Sequence, residues 1–428
     1  MAEETQRAPR LWLRLDNAAK LYPAIASVQW TSMFRLSFVM REQVVPTVLE
    51  EAVNQTLVRF PAFRVKLRKG LFWYYLEAID DRFRVCEDIG HPCPPLKHRE
   101  NSGYLFRVKY GEYRISLEMF HALADGTGGL IFLKSIVAQY LRLCGVPVPC
   151  EIGILDPTEK PAQEEMEDAY RKIPLDGVHA SRKEDVAYQM PGTPEPPHTL
   201  HVILAQVSVQ ALKNAAAPYG ATITEYLTAV MLYTLWQTQQ KGHHQTRLPV
   251  KVSVPVNMRK FVPTKTVRNF AFFVNVGIDP KLGHYTFEET VQLVHHALRY
   301  HMNPKFLFAG IATNVASERN LLVRLCPLPL KNFALSFVYH RVGERLFTTT
   351  LTNVGPVKLP SVMAERIERA EMMLGAASSY RSNCAAVSLG DNLCLTFTRD
   401  IAEADFERNV LCFLVEQGIA VRVSSNQE

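Results

Sequence analysis

A histidine, an aspartate and several glycines fall together in Phe120-His121-Ala122-Leu123-Ala124-Asp125-Gly126-Thr127-Gly128-Gly129. An imidazole titrates near neutrality, so it can take a proton from a hydroxyl or an amine at physiological pH. A carboxylate four residues later can cap a helix or bind a guanidinium, and Gly126, lacking Cβ, lets the backbone bend or a substrate approach closely. With 13 His, 13 Asp and 21 Gly in 428 residues, His-x3-Asp-Gly is expected only about 0.02 times in a chain of this make-up. The spacing therefore carries information.

The flanking pattern says what must hold these residues. Tyr113, Ile115, Leu117 and Met119 alternate with Arg114, Ser116, Glu118 and Phe120, which predicts a strand with one buried face and His121 pointing inward. Leu130, Leu133, Val137 and Leu141 recur at helical steps, predicting a helix from Thr127 to Cys144 with Gly145 as its left-handed stop. His121 then sits on a strand-to-helix turn at the open end of a sheet. The plainer alternative is that Asp125 only caps the helix and His121 is a satisfied core histidine.

His-x3-Asp-Gly at a strand end resembles the active-site motif of the acyltransferase superfamily that includes chloramphenicol acetyltransferase, alcohol O-acetyltransferases, polyketide-associated acyltransferases and nonribosomal-peptide condensation domains. Three further stretches share the likeness. Trp12 to Pro23 resembles the start of bacterial alcohol-acetyltransferase-like members, and Val254-Pro255-Val256-Asn257-Met258-Arg259 resembles the strand end whose arginine pairs with the motif aspartate. Thr352-Asn353-Val354-Gly355-Pro356 resembles a late Ser/Thr-Asn-x-Gly turn beside the catalytic tunnel. The aspartate-phenylalanine-glycine-tryptophan-glycine motif of the plant branch is absent, and its role is not carried over.

The resemblance implies an α/β (α+β) fold of two lobes, each a mixed sheet flanked by helices, with a tunnel between them. It implies acyl transfer from a coenzyme A thioester, with an acetyl or short to medium acyl group moving to an alcohol hydroxyl. His121 would be the general base, with no acyl-enzyme nucleophile. Asp125, costly in a dry interior without a bidentate partner, would hold the motif loop through Arg259, and Thr352 and Asn353 would donate to a tetrahedral oxyanion. Lys260, Lys265 and Arg268 form a basic cluster that can hold coenzyme A phosphates. Coenzyme A is expected as a co-substrate and not as a tightly bound cofactor, with a small alcohol or amine as acceptor. Two alternatives stand beside this reading. One is a condensation-type amide former fed by a carrier protein, although Phe120 occupies the position where such domains show a second histidine. The other is a non-catalytic binding protein that keeps the fold.

Composition bounds the rest. A chain of 428 residues with 47% hydrophobic content can bury two cores. Its net charge of +6 suits an anionic co-substrate, while no lysine-rich tract or aromatic-basic ladder supports nucleic-acid binding. Eight dispersed cysteines without a C-x-x-C read as reduced thiols. The polar Met1–Arg10 stretch and the absence of an apolar run of about 18 residues predict no signal peptide and no membrane span. A cytoplasmic monomer is expected.

Along the chain, residues 1–150 are expected to form the N-terminal lobe, 151–195 a proline-rich crossover lying on the surface or acting as a lid, and 196–428 the C-terminal lobe. Hairpins are predicted at Phe63 to Ile79, Leu105 to Phe120 and Cys384 to Phe397, and capped helices after Ser208 and Thr286. The Leu321 to Val338 run is expected to hold one or two buried helices. His91, Cys93 and His98 lie in a proline-rich loop, and His295, His296 and His301 lack chelating spacing, so no metal is expected.

Overall fold

The computed structural model describes residues 11–427 apart from 28–29, 97–99, 175–183, 243–246, 340–342 and 377–380; Met1–Arg10 and His98 lie outside the described residues. Two lobes follow from two sheets. The first has five strands in the order Ile367–Leu374, Met33–Met40, Arg114–Phe120, Phe106–Tyr110 and Cys86–Glu87. The second has seven, in the order Ala271–Ile278, Val250–Asn257, Thr349–Pro356, Ser382–Leu389, Asn392–Arg399, His201–Ser208 and Arg422–Ser425. A small third sheet joins Trp12–Arg14 to the Val65–Lys69 and Tyr74–Ala78 hairpin.

Each sheet is covered by helices whose sequence signals are local. The motif helix, Gly126–Leu143, packs with Pro46–Arg59 over the five-stranded sheet around Phe60, Phe63, Phe106 and Phe132. Its end is fixed by Gly145, whose φ of 88° is the left-handed value that favours glycine. In the second lobe, Thr222 and Glu225 form a capping box that starts the helix Ile223–Lys241, and Thr286 with Glu289 does the same for Phe287–His301. These two helices and Asp405–Glu416 bury a second core containing Tyr226, Val252, Val294 and Leu414.

Several expectations are corrected. Strand Arg114–Phe120 is buried on both faces, not one. Its polar face carries Glu118, which with Arg35, Asp88, Arg107 and Lys109 makes an ion cluster. The loop at His91–Pro95 closes over this cluster: Cys93 N–H donates to Glu118 at 2.9 Å, and the Pro94 and Pro95 carbonyls accept from Arg107. The loop thus satisfies buried charge, which a carboxylate away from water requires. Second, Ile367–Leu374, expected in the C-terminal lobe, pairs antiparallel with Met33–Met40 and completes the first sheet. Third, the start of the crossover is not a free lid. Arg59 forks onto Glu165, and Ala169, Tyr170 and Ile173 are buried in the second core, with the Tyr170 hydroxyl donating to the Ala271 carbonyl at 2.7 Å.

The fourth concerns Leu321–Leu325 and Leu328–Val338. They are helices, but most of their apolar side chains face outward instead of into a core. The expected turn after Thr352 is a bulge inside a strand that runs on to Pro356, with Gly355 at φ 83°. Helix Pro304–Arg319 and edge strand Arg422–Ser425 had no counterpart in the sequence reading. All eight cysteines are free thiols.

Candidate active site

The motif begins where strand Arg114–Phe120 ends, and each of its polar groups is tied down. Asp125 is the N-cap of the motif helix: its Oδ1 accepts from Gly128 N–H at 2.9 Å. Its other oxygen accepts from Arg259 Nη1 at 2.7 Å and from Phe270 N–H at 2.8 Å. One carboxylate thus caps a helix in the first lobe and bonds two groups from the second. Arg259 also donates to the carbonyls of Thr266, at 3.1 Å, and Arg268, at 2.5 Å, and to Asn257 Oδ1 at 3.4 Å. Its contact with Asp125 is single, so the expected two-pronged fork is divided between the carboxylate and backbone oxygens. Asn257, at the same strand end, donates to Thr127 Oγ1 at 3.1 Å.

His121 lies between aromatic rings. Tyr22 stacks on it with centroids 4.5 Å apart, and Phe34 meets it edge-on at 5.3 Å. Its backbone N–H donates to the Ser32 carbonyl at 2.9 Å. His121 as a whole residue is half-buried. Nδ1 lies 3.1 Å from Asn269 Oδ1. Asn269 Nδ2 faces two acceptors, the His121 carbonyl at 3.0 Å and Asp16 Oδ2 at 3.3 Å, so the amide is oriented with its oxygen toward the ring. An oxygen there requires Nδ1 to carry the proton, which leaves Nε2 with the basic lone pair. Burial holds the imidazole below its ordinary pKa, partly offset by the Asp125 carboxylate, the His121 carbonyl and Asn269.

Asp16 supports this arrangement. It is fully buried, accepts from Ala19 N–H at 2.8 Å, and its carboxyl is pushed up to about 6, chiefly by burial and against the pull of Arg268. Neither Asp16 nor Asn269 stands out in the sequence, and Tyr22 is legible only as part of the opening stretch. The available signal was weak: a polar Asn inside Val267 to Phe270, and an Asp framed by Leu15 and Asn17.

The remaining candidates separate. Lys260 and Lys265 are exposed on the loop that follows Arg259. Arg268 is corrected out of the basic cluster: it is buried, donates to the Arg14 and Met166 carbonyls, and lies 3.6 Å from Asp16. Asn353 donates to Thr224 Oγ1 at 2.9 Å and accepts from Gly355 N–H, which fixes the bulge, while Thr352 is half-buried beside it. A Cβ placed on Gly126 would meet Val354 and Met372 at 3.6 and 3.4 Å, so the bulged strand and the exchanged strand both pass the motif. Among the described residues no group of three or more His, Cys, Asp or Glu side chains can hold a metal ion.

A family model described as alcohol acetyltransferase matches residues 172–303. Solved structures align over nearly the whole chain. Polyketide synthase associated protein 5 from Mycobacterium tuberculosis matches at 15% identity and a TM-score of 0.60, over 95% of this chain and 98% of its own. TRI101 of F. sporotrichioides, solved with coenzyme A and T-2, matches at 10% identity and 0.65, over 96% and 99%. The condensation domain of the Monacolin K polyketide synthase MokA matches at 12% and 0.58, over 96% and 97%. The fold is the one these acetyltransferase and condensation-domain structures share. A search of curated proteins returns no match. Within this fold, the Asp125–Arg259 pair and the Asn257–Thr127 bond cross from one lobe to the other at the motif.

Proposed function

We propose that the protein transfers an acyl group from a coenzyme A thioester to the hydroxyl of a small alcohol, with His121 as general base. The observation that carries this reading is the orientation of Asn269, which assigns the proton to Nδ1 and leaves Nε2 basic on a half-buried residue at the junction of the lobes. Support also comes from the alcohol acetyltransferase match and from TRI101 having been solved with coenzyme A and T-2.

In the reaction, Nε2 takes the acceptor's O–H proton as its oxygen forms a bond to the thioester carbonyl carbon. Collapse of the tetrahedral oxyanion breaks the C–S bond, and the proton on Nε2 passes to the departing thiolate. Asp125 handles no proton; with Arg259 it holds the loop that positions the imidazole. Of the two late candidates, Thr352 is the better oxyanion donor, because the Asn353 side chain is bonded within the bulge and to Thr224. Lys260 and Lys265, whose ammonium groups are in solvent, suit the phosphates of coenzyme A.

Release of free thiol from a panel of acyl-coenzyme A donors, with alcohols and amines as acceptors, tests the reading. His121→Ala should lower the rate by about 10²- to 10⁴-fold, as removal of a general base does. Equal turnover by both proteins would remove His121 from the chemistry. Turnover only with a carrier-protein thioester would favour the condensation reading.

A further inference from the structure

Helix Leu328–Val338 is built inside out. Leu330, Phe333, Ala334, Phe337 and Val338 recur at three- and four-residue steps, the spacing of one apolar face, and that face is turned to solvent. The inward face holds the buried Leu328 and the half-buried Leu335 together with polar groups. Lys331 is buried, donates to the Phe72 carbonyl at 2.8 Å and lies 3.4 Å from the centre of the Trp73 ring, while Asn332 donates to the Tyr74 hydroxyl at 2.8 Å. The preceding turn of helix, Leu321–Leu325, adds Leu321, Leu322 and Leu325 to the same exposed stretch. Leu322 is 81% exposed and Phe333 74%. Monomers rarely leave so many large apolar side chains of one chain segment in water unless another phase or molecule covers them.

The charge around this face indicates what covers it. No Asp or Glu occurs between Glu318 and Glu344, whereas Arg324 is exposed within the stretch. Leu71, itself exposed, accepts from Leu328 N–H and follows Arg68-Lys69-Gly70 at the hairpin end, where Arg68 is paired with Glu77 and Lys69 is exposed. Aromatic and leucine side chains in the middle, arginine and lysine at the edge and no acid within form the pattern of a helix that lies in a bilayer interface carrying anionic lipid. None of the described helices is long and apolar enough to cross a membrane, so the contact is peripheral.

We infer that the Leu321–Val338 face docks the protein onto an anionic lipid surface. The same helix packs against Tyr22–Ile25, whose Tyr22 stacks on His121, so docking sets the lipid surface beside the cover of the candidate base. Delivery of an apolar acceptor from the lipid would be a consequence that rests on the acyl-transfer reading; docking does not rest on it.

Sedimentation of the full chain with phosphatidylcholine vesicles, with and without phosphatidylglycerol, reads docking without reference to catalysis. Binding is expected only with phosphatidylglycerol, to weaken as salt rises, and to fall about ten-fold in Leu322→Ser/Phe333→Ser and in Arg324→Glu. All three side chains are exposed, and an unchanged melting curve checks that the variants fold. No binding by the wild type overturns the inference, and so does binding that survives these substitutions. Light scattering that shows a dimer dissociated by Leu322→Ser/Phe333→Ser also overturns it, because a second copy would then be the occupant.

Discussion

Two groups at the site, the half-buried His121 and the buried Asp16, titrate in opposite senses. His121 has its folded pKa held below the ordinary value near 6.5, so it stays neutral in the native protein at pH values where the unfolded chain binds a proton. The stability it contributes is present above about pH 6.5 and lost as pH falls through that window. If neutral His121 is the base, the acid limb of kcat/KM lies below pH 6.5, which a pH-rate profile checks. Asp16 behaves in reverse. Its folded pKa of about 6 lies above the usual 3.8, so its contribution is favourable at low pH and turns unfavourable as pH rises from about 4 to 6, by about 3 kcal/mol. Asp16→Asn should therefore gain stability relative to wild type over that interval and hold a constant difference above it, read from urea midpoints across pH. Asn269→Ala should lower kcat by about ten-fold and leave the fold intact, because it frees the imidazole tautomer without removing the ring. At this scale the sequence was legible where residue types are rare together: His121, Asp125 and Arg259 could be named in advance. Asn269 and Asp16 could not, because Asn and Asp beside a strand or a short helix usually serve turns and caps, and only the folded chain brings these two within reach of the ring.

Elements approach so closely at the motif that side-chain volume decides the outcome. A Cβ on Gly128 would sit 1.9 Å from the Val267 carbonyl oxygen, and one on Gly129 would sit 3.0 Å from the Phe34 ring. Backbone cannot retreat as a flexible side chain can. Gly128→Ala is therefore expected to destabilise by about 3 kcal/mol or more, with Gly129→Ala milder, both measured by chemical denaturation. The Asp125–Arg259 pair is mostly buried, and removing either partner strands the other, at about 3–5 kcal/mol. Double-mutant analysis of Asp125→Ala and Arg259→Ala should give strongly non-additive losses; additive ones would mean that the two act independently. Most elements were readable from periodicity and capping, as in the motif helix, the Ser208 and Thr286 caps and the Cys384 to Phe397 hairpin. Periodicity names a face, not its neighbour. Leu321 to Val338 carried a correct helical pattern and a wrong destination, and Arg114–Phe120 had its polar face sealed by charges from Arg35, Asp88, Arg107 and Lys109, elements that the strand's own pattern does not reveal.

For the molecule as a whole, the lobes are coupled by more than adjacency. Ile367–Leu374 leaves the later part of the chain to fill the edge of the first sheet, while Asp125, Arg259, Asn257 and Thr127 bond across at the motif. Urea unfolding of two variants, one keeping only Trp236 in the second core and one keeping only Trp73 beside Lys331, should give coincident fluorescence transitions, and separated midpoints would mean that the lobes unfold independently. Two cores were foreseeable from length and apolar content, but the exchange was not, because a strand's local pattern is silent about which sheet accepts it. The exchange also has a consequence for biosynthesis. Until residue 374 has emerged from the ribosome, Met33–Met40 presents an apolar, unpaired edge. At about 5–20 residues per second that interval lasts on the order of tens of seconds. During it the nascent chain needs shielding by a chaperone, and fragments cut short of the exchanged strand should collect as insoluble aggregates.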